Sequence, residues 1–291
     1  MKNWRGYGYL LAMITVFIWG TTFISSKVVL EVCSPAQNLF VRFLIGLAAL
    51  LVIKPKILPF RSWKQEAVFA FAGLTGVSLY YYCENLALTY TYAANVSVIV
   101  SSAPVFTVLL AAFLNRNIKI KAGFWAGFVL AMVGIGLISL NGTRLQLNPA
   151  GDLIALFAAM LWAFYTQAVE RINAMDISLV QATQRIFFYG LLFMIPVLFF
   201  EPAVWNLDVF FRPEIFWNTL YLGIGASALC FLTWNKAVAL LGTIKTSVYI
   251  YLVPLITMAG SALLLAERIT LMAIAGMVMI LAGLFLSEKF S

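Results

Sequence analysis

Histidine is absent from the 291 residues. Imidazole catalysis, His-ligated metals and histidine pH sensing are therefore excluded. The three cysteines, Cys33, Cys83 and Cys230, are scattered without a CxxC pair, so they read as small buried side chains, with no metal or disulfide role. Charged residues make up only 10% of the chain, against about a quarter in soluble domains. No Walker A motif occurs, which leaves ATP hydrolysis without its phosphate loop. The net charge of +8 forms no continuous basic stripe, which argues against a nucleic-acid partner.

What remains is apolar. The chain is 63% hydrophobic with a mean hydropathy of +0.97, which places it in a lipid bilayer. A membrane helix needs about 20 mostly apolar residues. Ten segments qualify: 7–29, 36–53, 66–89, 92–114, 122–140, 150–169, 178–200, 214–238, 243–265 and 270–287. The first is too long for a signal peptide and lacks a small-x-small cleavage site, so it reads as a retained helix. The longest connections, 54–65 and 201–213, carry Pro55, Pro59, Pro202 and Pro213 and leave no room for a soluble domain.

Lysine and arginine set the orientation. With the N-terminus inside, the inner segments hold Lys2, Arg5, Lys54, Lys56, Arg61, Lys64, Arg116, Lys119, Lys121, Arg171 and Lys289. The outer loops hold only Arg144, Arg212 and Arg268. Both termini are thus expected in the cytoplasm.

The chain also repeats itself. Tyr80–Pro104 returns 150 residues later as Cys230–Pro254, with Asn85 on Asn235, Ser97 on Ser247 and Pro104 on Pro254. Trp19 falls on Trp162 at an offset of 143, Gly46 on Gly190 at 144, and Gly127 and Gly134 on Gly276 and Gly283 at 149. The order is co-linear and the offsets change only in loops. The expected architecture is all-α and integral to the membrane: two five-helix repeats, 1–143 and 144–291. An odd number of helices per repeat inverts one half relative to the other. A polar hairpin repeated inside membrane segments reads as a transporter.

Several features together resemble the drug/metabolite transporter superfamily and its EamA-type members. They are a tryptophan in the first helix of each repeat, a proline in the middle of each fourth helix, and Leu265-Ala266-Glu267-Arg268 before a glycine-rich last helix. The first repeat departs from this pattern, with Asn115-Arg116-Asn117 where the second has Glu267. The resemblance covers the whole chain. It implies a ten-helix carrier with both ends cytoplasmic and a central cavity among helices one to four and six to nine. It also implies export of amino-acid-like or amphipathic solutes.

Charges inside membrane segments are costly and face protein or water. The topology sorts them into an outer set, Lys27, Arg42 and Glu84, and an inner set, Glu170, Arg185, Lys236 and Lys245. The expectation is that the sets gate alternately and that the surplus positive charge receives an anionic group of the substrate. Glu84 is also a candidate proton-coupling carboxylate. Pro104 and Pro254 are hinge candidates, because a mid-helix proline removes a hydrogen bond. Asn85 and Asn235, polar positions shared by the two hairpins, are candidate substrate-binding or gating residues. Asn95 and Ser102 in the fourth helix, and Lys245 and Tyr249 in the ninth, are candidate cavity residues. Trp19, Trp162 and Tyr165 are candidate cavity walls. The helix-five and helix-ten glycines read as close-packing positions.

The resulting expectation is a multi-pass secondary carrier of the inner (plasma) membrane, moving a small molecule by alternating access without a cofactor. The bilayer and the substrate are its expected partners, proton coupling is open, and a monomer and a homodimer fit equally. The rival readings are an intramembrane enzyme and a channel. The first lacks a visible nucleophile–base pair or metal cluster.

Overall fold

A computed structural model describes residues 2–90, 93–115, 120–139, 148–201, 207–265 and 270–290, and all their regular structure is helical. Helix α1 is Lys2–Leu30 and α2 is Pro35–Ile53. Helix α3 spans 63–90, with a π-helical stretch, Leu74–Leu79, between Trp63–Gly73 and Tyr80–Tyr90. Helix α4 spans 93–114 in two pieces, Ala93–Val100 and Ala103–Leu114. Then come α5, Ala122–Ser139; α6, Pro149–Asn173; and α7, Leu179–Phe200. A 3-10 turn, Leu207–Phe211, leads into α8, Pro213–Leu241, whose middle, Tyr221–Leu229, is again π-helical. Helix α9 spans 243–265 with a 3-10 segment, Val248–Tyr251, and α10 is Leu271–Phe290. Arg116, Asn117, Lys119, Arg144, Pro202, Glu267, Arg268 and the side chain of Asn95 lie outside the described residues.

Six helices among the described residues are long and apolar enough to cross a membrane, and two shorter apolar helices, Ala122–Leu137 and Thr243–Ala259, accompany them. Helix α3 is not one of the six. It is long enough, but Glu66, Glu84, Asn85 and the tyrosines lower its hydropathy. The outward face is apolar, with Phe113, Phe199 and Phe200 largely exposed, as suits a lipid solvent.

Local chemistry sets the helix ends. Ser34 caps α2 by accepting from the Gln37 N–H, the Gln37 side chain accepts back from the Ser34 N–H, and Pro35 opens the first turn. Asn148 and Pro149 do the same work for α6. Gly242, at φ +85, ends α8 and begins α9 in a single residue, a backbone shape that favours glycine.

The packing is unchanged when each helix is exchanged for the one five places along. Contact α1·α8 answers α6·α3, α1·α9 answers α6·α4, and α2·α8 answers α7·α3. The pairs α2·α7 and α5·α10 map onto themselves. Individual atoms obey the same exchange. A Cβ added at Gly73 would meet Ile186 O and Tyr189 Cβ of α7, and one at Gly223 would meet Arg42 O and Ile45 Cβ of α2. Ile186 and Tyr189 are the residues 144 positions after Arg42 and Ile45.

Helices α5 and α10 cross so closely that a Cβ at Gly127 would lie 2.7 Å from Gly283 O, and one at Gly134 would lie 2.6 Å from Gly276 O. The numbers rise in one helix as they fall in the other, so these equivalent helices are antiparallel. The relation between the halves is a pseudo-two-fold across the helix axes.

Candidate functional site

Three aromatic pairs mark the pseudo-two-fold. Trp19 stands edge-on to Trp162 at 5.1 Å between ring centres, and Phe43 edge-on to Phe187 at 4.9 Å. Tyr81 lies 6.1 Å from Phe231. In each pair the partners hold matching positions in the two halves, and residues that touch their own equivalents straddle the axis. Trp234 joins the cluster at 5.1 Å from Trp19 and 5.9 Å from Trp162. Such contacts are worth about 0.5–1.5 kcal/mol each beyond area burial. They fill the centre of the protein.

Beside this cluster lies a cavity of about 30 Å³ walled by α1, α3, α4, α6 and α9. Space of that size holds one or two waters and no metabolite. The aromatic wall is Trp19, Tyr80, Tyr81 and Trp162; the polar wall is Thr22, Glu84, Ser97 and Ser101. Thr22 donates its hydroxyl proton to Trp19 O and Ser101 donates to Ser97 O, at 2.7 and 2.6 Å. Those oxygens keep lone pairs to offer. Glu84 is 7% exposed, has Tyr80 as a hydrogen-bonding neighbour, and its Oε2 has no hydrogen-bond partner. The polar lining is therefore rich in acceptors.

Arg42 lies behind this wall, 1% exposed. Its Nε donates to Ser227 Oγ at 2.8 Å, and the guanidinium lies 4.4 Å from the Tyr81 ring centre and 5.4 Å from that of Phe43. A desolvated cation over aromatic faces gains about 2 kcal/mol. Arg42 acts on Glu84 through the field of its charge, and among the described residues no ion pair within 4 Å joins the two.

Two stretches of the chain, 6–140 and 149–288, match the EamA-like transporter family. The chain belongs to that family.

Relatives of this EamA-type transporter are described as a transporter, an exporter and an efflux pump. An uncharacterized transporter of Archaeoglobus fulgidus is 29% identical over 291 residues, with 96% of each chain covered. A probable terminal-alkyne amino-acid exporter of Streptantibioticus cattleyicolor is 27% identical, covering 95% of this chain and 92% of the other. A probable amino-acid metabolite efflux pump of Salmonella typhimurium is also 27% identical, covering 95% and 93%. A solved crystal structure with 18% identity superposes at a TM-score of 0.74 over 98% of this chain and 99% of its own, which shows the shared fold. The protein is a multi-pass membrane transporter of the drug/metabolite superfamily.

Within the EamA-type transporter the expected site residues part company. Trp19, Trp162 and Glu84 meet at the axial cavity. Tyr165 packs on Trp162 at 4.9 Å and donates to Asn235 Oδ1 at 2.7 Å. Asn85 accepts from Asn38 Nδ2 at 3.4 Å and donates to Tyr81 O at 2.8 Å. Both repeat-paired amides thus tie helices together. The α4 hydroxyls at the cavity are Ser97 and Ser101, while Ser102 donates to Ile99 O. Pro104 and Pro254 sit just past matching interruptions of α4 and α9. The carbonyls that lose a helical donor to them belong to Val100 and Ile250, which both line the cavity.

In this structure the seven membrane charges are not gathered into two clusters. Lys27 and Glu170 are exposed. Arg185 lies 3.7 Å from Glu66 Oε2 and donates to Leu58 O, and Tyr189 donates to the same Glu66 oxygen at 2.6 Å. Lys245 lies 3.5 Å from Glu288 Oε1, which also accepts from Tyr9 at 2.8 Å, and the Tyr9 ring packs 6.0 Å from Tyr249. Glu66, Glu288 and Asn38 were missed in the sequence because their partners lie on other helices. The one signal was an acid near the end of an apolar segment on the side already holding the basic residues.

Proposed function

We propose that this transporter is a secondary carrier that exports a small amine-bearing metabolite by alternating access at the axial cavity. In this reading the ten helical runs cross the inner membrane as two inverted five-helix repeats, 1–143 and 144–291, with both termini cytoplasmic. The observation that carries the reading is Glu84, a carboxylate with a free buried oxygen, in a cavity whose hydroxyls present acceptors and whose other walls are aromatic faces. That combination suits an ammonium group, which gives N–H bonds to oxygens and its charge to π faces. Two relatives described as an amino-acid exporter and an amino-acid metabolite efflux pump fit such a substrate.

Exchange symmetry supplies the motion. If the halves can trade conformations, a state open to one side has a counterpart open to the other. The Arg185–Glu66 contact fastens α7 to α3 at the cytoplasmic end, and Glu201 of α7 accepts from the Ala36 N–H and Ser34 hydroxyl of α2 at the outer end. With both fastened, the small cavity corresponds to an occluded state. Loading then requires the axial rings to part, with α4 and α9 yielding at Pro104 and Pro254. A single carboxylate that holds either an ammonium or a proton exchanges one for the other, so protons moving inward down their gradient drive export.

The test is counterflow in proteoliposomes with an amino acid and its 2-hydroxy analogue, for wild type and Glu84→Gln. The expected result is transport of the amine at least tenfold above the analogue, driven by a proton gradient and lost in Glu84→Gln. Equal transport of both compounds would remove the ammonium reading. Steady ionic conductance would replace the carrier with a channel.

A further inference from the structure

A second site lies away from the axis, where the cytoplasmic ends of α3, α4 and α6 meet. Ala67, Val68 and Phe71 of α3, Leu110 of α4 and Phe164 of α6 wall an apolar trench of about 310 Å³. Phe71 and Phe164 stand edge to face at 6.1 Å and form its rigid side. The trench runs through Leu114, Gln167 and Arg171 into a polar hollow of about 330 Å³, bordered also by Asn115, Glu170 and Thr243. Arg171 and Glu170 are exposed there, and neither has an ion-pair partner among the described residues. Gln167 Nε2 is buried with no hydrogen-bond partner.

We propose that this groove binds an aminophospholipid of the cytoplasmic leaflet, with an acyl chain in the trench, its phosphate on Arg171 and its ammonium on Glu170. The placement rests on the topology proposed above; the chemistry does not. An apolar trench on the flank of a membrane protein is filled by hydrocarbon, and both charge signs stand at its mouth. A headgroup with a phosphate and a primary ammonium satisfies both. Phosphatidylglycerol offers Glu170 neutral hydroxyls but no cation, and the methylated ammonium of phosphatidylcholine has no N–H to donate to it. Leu110 and Leu114 belong to the part of α4 beyond Pro104, and Thr243 begins α9. An occupant therefore bears on both interrupted helices.

The experiment is native mass spectrometry of the full chain in detergent, titrated with dioleoyl phosphatidylethanolamine, phosphatidylcholine and phosphatidylglycerol. It reads binding without any transport step, so a failure of the carrier reading leaves it intact. The expected result is at least fivefold preference for phosphatidylethanolamine. Glu170→Gln should remove the preference over phosphatidylcholine. Arg171→Gln should weaken all three lipids at least threefold. Ala67→Phe, which fills the trench from an exposed position, should do the same with unchanged thermal unfolding. Equal binding of the three lipids by wild type, a preference for phosphatidylglycerol, or unchanged binding in the variants would overturn the proposal.

Discussion

Trp19 and Trp162 face each other edge-on at 5.1 Å, each in the first helix of its half. The contact joins two residues that the internal repeat makes equivalent, so it lies on the axis about which the halves are related. In the proposed cycle, opening the axial cavity separates this pair.

Replacing both tryptophans with alanine should therefore reveal coupling. Thermal unfolding in detergent of Trp19→Ala, Trp162→Ala and the double variant should give an interaction of about 0.5–1.5 kcal/mol. Additive losses would mean that the rings only fill space independently.

Glu84→Gln separates function from stability. Glu84 leaves Oε2 without a partner and meets the buried Arg42 only through the field of its charge, two effects of opposite sign, so its amide should unfold close to the wild-type temperature. Transport should fall at least tenfold. A variant that loses both stability and transport would mark Glu84 as a structural residue.

The Arg185–Glu66 and Lys245–Glu288 ion pairs should differ. Glu66→Gln leaves the largely buried Arg185 unpaired and should cost about 1–3 kcal/mol, with part regained in Glu66→Gln/Arg185→Gln. Lys245 and Glu288 are 37% and 22% exposed, so Lys245→Gln should cost under about 1 kcal/mol. Denaturation midpoints of the purified variants check both.

Neighbouring glycines of α5 should give opposite signs. A Cβ at Gly134 lands on the Gly276 backbone, so Gly134→Ala should cost roughly 1–3 kcal/mol. Nothing lies within 4 Å of a Cβ at Gly136, where alanine should gain about 0.5–1 kcal/mol from helix propensity. Thermal unfolding of the two variants decides the contrast.

The repeat was legible because prolines, glycines and amides stand out against aliphatic residues. Pro104 and Pro254, Gly46 and Gly190, Asn85 and Asn235 align without any knowledge of the fold. The partners of the charged residues were hidden for a physical reason. In lipid the outer face of a helix is as apolar as its inner face, so hydropathy carries little information on how the helix is rotated. The reading that grouped Arg185 with Lys245 had depth but no azimuth. The structure sends one to Glu66 and the other to Glu288. The paired π-helical stretches of α3 and α8 were likewise invisible, since an extra residue in a turn leaves no hydropathy mark.

At the cavity, one pair of matching positions differs in kind. By the 150-residue offset, the counterpart of Glu84 is Trp234, which packs on both Trp19 and Trp162. Two identical five-helix chains paired antiparallel about a two-fold axis would carry an acid at both copies of this position, or an indole at both. Two acids would double the cost of burying charge, and two indoles offer no carboxylate at all. Joining the halves in one polypeptide lifts that constraint. It lets a single acid stand opposite an aromatic wall, and so gives a nearly symmetric machine a one-handed binding site.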